Sequence, residues 1–68
     1  MRLKKKMLYN VGDKITLTKD ISTPSVTLKA GTEVEIIAKD GLLRTYDIMN
    51  TSNKKEWVTD INAREIEA

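Results

Sequence analysis

A chain of 68 residues with neither cysteine nor histidine has room for one domain, cannot be stapled by disulfides, and lacks the side chains most used for acid–base and covalent catalysis near neutral pH. Its net charge of +2 is misleading: Arg2, Lys4, Lys5 and Lys6 exceed it alone, and the rest sets eight Lys and Arg against ten Asp and Glu. No apolar run approaches the roughly 18 residues of a membrane span, and "MRLKKKMLYN" has a basic start without the apolar stretch of a signal peptide, so the expectation is a cytoplasmic protein that does not enter a membrane.

The basic start defines an N-terminal arm over residues 1–10, followed by a domain over residues 11–68. In that domain Val11, Ile15 and Leu17 share one parity, with Thr16 and Thr18 on the other, which predicts a half-buried first strand. "DISTPS" reads as an excursion, with Pro24 stiffening it. The stretch "VTLKAGTEVEIIAKDG" then places apolar residues at every second position, breaks at Gly31, resumes, and breaks again at Gly41. Gly31 is expected at positive φ, reversing the chain from Val26 and Leu28 into Val34, Ile36 and Ala38.

At the second break the register decides which side chains meet. A two-residue loop at Asp40-Gly41 would set Asp47 among the inward residues. A three-residue loop, Lys39-Asp40-Gly41 with Gly41 left-handed, pairs Ala38 with Leu42, Ile36 with Arg44 and Val34 with Tyr46, and is the preferred reading. Ile48 continues the inward phase, "NTSNKK" is a polar tip, and "EWVTD" is a further strand with Val58 inward. "DINAREIEA" is read as a single 3₁₀ or α turn over residues 60–64 and a last short strand carrying Ile66.

Short strands at even spacing predict an all-β fold. Their order, with the "LKAGTEV" hairpin, "YDIM", "WV" and the closing "VTDINAREIE", resembles the SH3-like barrel of small bacterial and phage proteins over residues 11–67. The resemblance implies about five strands, a short 3₁₀ turn before the last one, and a small standalone accessory or inhibitor protein. It does not extend to the polyproline-binding branch. Those domains carry an Ala-Leu-Tyr-Asp-Tyr stretch, a tandem Trp pair and a proline in the 3₁₀ turn; here the start is "MLYNVGDKI", Trp57 stands alone, and no proline follows Pro24.

The chemistry-bearing residues are few. Glu33 and Glu35 share one strand face about 7 Å apart; a solvated outer face is the expectation, with no catalytic residue, metal or cofactor. In the preferred register Ile37 pairs with Leu43 on the outer face and Trp57 is turned outward beside Val58. Such residues need a cover: strand bending, the arm residues Leu3, Met7 and Leu8, or a partner protein. The second reading gives a contact surface of Trp57, Tyr46, Arg44, Ile37 and Leu43, residue types rich in interface energy. The alternative partner is nucleic acid, with Arg2, Lys4, Lys5 and Lys6 neutralising phosphates.

Overall fold

A computed structural model describes residues 7–67. Six strands and one helix follow in order: β1 (Lys14–Thr16), β2 (Ile21–Ser22), β3 (Thr27–Leu28), β4 (Glu33–Asp40), β5 (Thr45–Asn50), β6 (Trp57–Asn62) and α1 (Ala63–Glu67). They form a four-stranded antiparallel sheet in the order β1-β4-β5-β6 and a separate β2-β3 hairpin. Among the described residues no ladder joins the two sheets, so the architecture is all-β with one short helix and is not a closed barrel.

The inward alternation is realised where the sheet is longest. Val34 and Ile36 of β4, Tyr46 and Ile48 of β5, and Val58 and Ile61 of β6 form the centre of the core, closed by Leu17, Ile21 and Leu28 on one side and by Ala63 and Ile66 of α1 on the other. Ile15 and Val26 pack on its margin. Val11, expected inward, is exposed, because the chain at Gly12 and Asp13 bonds to the backbone of Ile36 before β1 has begun.

The β4–β5 register differs from the preferred reading. Asp40 pairs with Thr45, Lys39 with Tyr46 and Ala38 with Asp47; then Ile37 is skipped, and Ile36 faces Ile48. The loop is residues 41–44, and its cause is Asp40, whose Oδ1 accepts the N–H groups of Leu42 and Leu43 at 2.9 and 3.1 Å. This Asx turn moves the left-handed position from Gly41 to Arg44, at φ 58°. Leu42, expected opposite Ala38, is thereby 82% exposed. The bulge at Ile37 restores the inward phase that the longer loop would have reversed, so Ile36 and Ile48 still meet in the core.

A second bulge lies in β6, where Tyr46 faces Ile61 but Ile48 faces Val58. Asp60 takes a left-handed conformation there, φ 57°, and its N–H donates to Asp47 Oδ1 at 2.9 Å. Asp47 therefore meets a backbone donor at the sheet surface rather than the core. The chain then enters α1, where a last strand was expected. Asn62 Oδ1 accepts the Arg64 N–H at 2.9 Å, capping the helix, and the i, i+3 spacing of Ala63 and Ile66 turns both into the core.

Gly31 has φ +93° as expected, and a Cβ there would meet nothing within 4 Å. Its requirement is conformational alone. Gly31→Ala is expected to cost about 1–3 kcal/mol, read as a lower urea midpoint with unchanged m-value.

Candidate functional site

Trp57 opens β6, directly opposite Met49 of β5; Met49 faces Glu35 of β4, and Glu35 faces Lys14 of β1. One row thus crosses the outer face of the sheet, with Trp57 at its end and 55% exposed. Beside it runs a groove of about 470 Å³, lined on one side by Lys55, Glu56, Trp57, Val58 and Thr59 and on the other by Thr23, Ser25 and Val26. The groove occupies the gap where the two sheets fail to join.

Both walls are fixed by short-range hydrogen bonds. In the β2–β3 turn the Thr23 hydroxyl accepts the N–H groups of Ser25 and Val26, and the Thr23 N–H reaches the Val26 carbonyl at 2.8 Å. On the opposite wall Asn50 closes the β5–β6 turn: its N–H donates to the Glu56 carbonyl, its Nδ2 to Glu56 Oε1 and its Oδ1 accepts from Ser52 N–H. Glu56 is thereby engaged. Lys54 and Lys55, by contrast, make no ion pair among the described residues. These two lysines outnumber the Glu56 carboxylate, so the net charge at that end of the groove is positive.

The five residues expected to form one surface are not brought together. Leu43 is 65% exposed, but it lies in the β4–β5 loop, beyond Thr45, whereas Trp57 faces Met49; along β5 that is about 14 Å. Ile37 is the unpaired residue of the β4 bulge, and the expected Ile37–Leu43 pair does not form. Arg44 is half-buried at the loop end, its carbonyl accepting the Ala63 N–H at 2.8 Å.

Tyr46 has no exposed surface at all. It cannot touch a partner, because its hydroxyl is spent inside the protein: it accepts the Tyr9 N–H at 3.0 Å and donates to Glu67 Oε2, which also accepts the Leu8 N–H at 2.8 Å. The Tyr9 ring leans on it at 6.0 Å between centroids. Residues 7–10, assigned from sequence to the arm, are thus docked on the domain, with Met7 and Tyr9 against the core and Lys39 Nζ donating to the Tyr9 carbonyl and Asn10 Oδ1. Arg2, Lys4, Lys5 and Lys6 lie outside the described residues, as does Leu3.

Glu33 and Glu35 occupy the outer face of β4; Glu33 Oε1 accepts the Thr51 hydroxyl at 2.8 Å, and Glu35 faces Lys14. Among the described residues no group of three or more carboxylates could hold a metal ion, and no helix is long and apolar enough to cross a membrane. The residues that sequence reading missed are Thr23, Ser25, Val26 and Lys55. Their only signal is proximity, which arises from long-range folding of the hairpin against β6 and leaves no periodic trace. Comparison with known proteins returns no match to a family model, to a curated protein or to a solved structure.

Burial, then the hydrogen bond to Glu67 and its negative charge, raise the Tyr46 phenol above its ordinary value of 10.0. The fold prefers the neutral phenol. Its contribution is therefore complete below the unfolded value and is lost as pH rises through the elevated folded one. Tyr46→Phe is expected to lower stability at pH 7 by about 1–3 kcal/mol and to flatten the fall in stability above about pH 10, both measurable by urea titration across pH.

Proposed function

We propose that this chain is a non-catalytic, cytoplasmic protein-binding module, built on an incompletely closed SH3-like barrel and anchored to its partner by Trp57. One observation carries the reading: the only tryptophan of the chain is 55% exposed on the rim of a groove whose walls are held by internal hydrogen bonds. A large aromatic left in water beside a pre-formed concavity gains more from a partner than from any neighbour in the fold. The β4-β5-β6 meander, the hairpin excursion before it and the single helical turn after it support the barrel assignment.

The apolar pair Leu42 and Leu43 belongs to a different region and is not part of this anchor. Trp57 reports on itself, since its emission is the sole indole signal. Affinity capture with the wild-type chain and with Trp57→Ala is expected to retain a partner only on the former, with the purified partner shifting Trp57 emission to the blue. Trp57→Ala should cost about 2 kcal/mol or more of binding with the β-sheet circular dichroism intact, while Leu43→Ala leaves affinity within about 0.5 kcal/mol. Equal retention by Trp57→Ala, or greater sensitivity to Leu43→Ala, overturns the assignment.

A further inference from the structure

β6 is an edge strand: it has a ladder with β5 on one side and the groove on the other. The direction of its free backbone groups follows from the ladder. Asn50 N–H donates to the Glu56 carbonyl, so the Asn50–Glu56 pair is hydrogen-bonded, the Met49–Trp57 pair is not, and Ile48–Val58 is again. The N–H and C=O of Trp57 consequently point away from β5, into the groove, as does the N–H of Thr59. No backbone hydrogen bond crosses from them to the hairpin wall at residues 23–26. The groove is thus lined by unused ladder positions as well as by side chains.

We propose that this edge takes an extended segment of the partner protein, which adds a short strand to β6 and carries an apolar residue against Trp57, Val26 and Val58 and a carboxylate toward Lys55. The proposal rests on the reading of Trp57 as the anchor and specifies the shape and charge of what it binds. Only an extended backbone presents donors and acceptors at the spacing of Trp57 and Thr59. Lys54 and Lys55 make no ion pair among the described residues and outnumber Glu56, whose Oε1 is held by Asn50, so the net charge to be matched at this end is positive. A second copy is disfavoured because the hairpin stands opposite the edge, leaving room for a stretch of single chain rather than for another folded sheet. The other outer strand, β1, is three residues long and exposes Lys14 and Thr16.

The test pans a displayed library of random linear dodecapeptides against the full chain, then titrates the selected peptide into isotopically labelled protein. The expected peptide has an acidic residue near alternating apolar ones, moves the amide signals of Trp57 and Thr59 and slows their hydrogen exchange. N-methylation of its alternate backbone amides should weaken binding about tenfold or more in one phase and little in the other. That contrast does not depend on any variant folding. A peptide that binds with sensitivity to Trp57→Ala but leaves the Trp57 and Thr59 amides unmoved overturns strand addition and leaves the Trp57 anchor standing. A peptide insensitive to Trp57→Ala overturns both. Failure of any library member to bind overturns strand addition, and amide shifts that follow protein concentration without peptide assign the edge to a second copy and overturn it as well.

Discussion

The fold turns on one buried hydroxyl. Tyr46 is the largest fully buried side chain, and its phenol oxygen must find partners or cost the core more than its ring contributes. It finds them in the Tyr9 backbone and the Glu67 carboxylate, two groups at opposite ends of the described chain. A single oxygen therefore ties the N-terminal segment, the central strand and the C-terminal helix into one unit. In a domain with few aromatics and no cross-links, such a tie has weight out of proportion to its size. Among the described residues no buried side-chain polar atom lacks a partner.

What could be read from the residues was parity, and along β4, β5 and the start of β6 parity survived, though not at Val11 or Leu42. Val34, Ile36, Tyr46, Ile48 and Val58 all point inward, because alternation is a local property of extended chain. Gly31 could be placed for the same reason: its conformation follows from a tight reversal between two short apolar runs. Register was another matter. It depends on which of several small turns wins, and the winner here was set by the Asp40 carboxylate reaching two amides, an interaction worth about 1 kcal/mol that no pattern of apolar residues encodes. The bulge at Ile37 then absorbed the offset.

The candidate site was legible only as far as Trp57. Its outward parity followed from Val58, but the surface drawn around it assumed that Ile37, Leu43, Arg44 and Tyr46 lay near, and this followed from the wrong register. Tyr46 in particular was read as both inward and available, which a residue with no exposed surface cannot be. The true neighbours across the groove come from the hairpin around Pro24, some thirty residues earlier in the chain. Closeness of that kind is created by tertiary packing and has no local signature.

The left-handed turn at Asp60 has a further consequence. An open strand is a seed for sheet growth, and natural proteins blunt such margins with lysines, kinks or brevity. Here β6 begins just after Lys54 and Lys55, and the left-handed Asp60 sets a bulge in it before it ends at Asn62. An edge this short and interrupted denies the long, straight template on which fibrils stack.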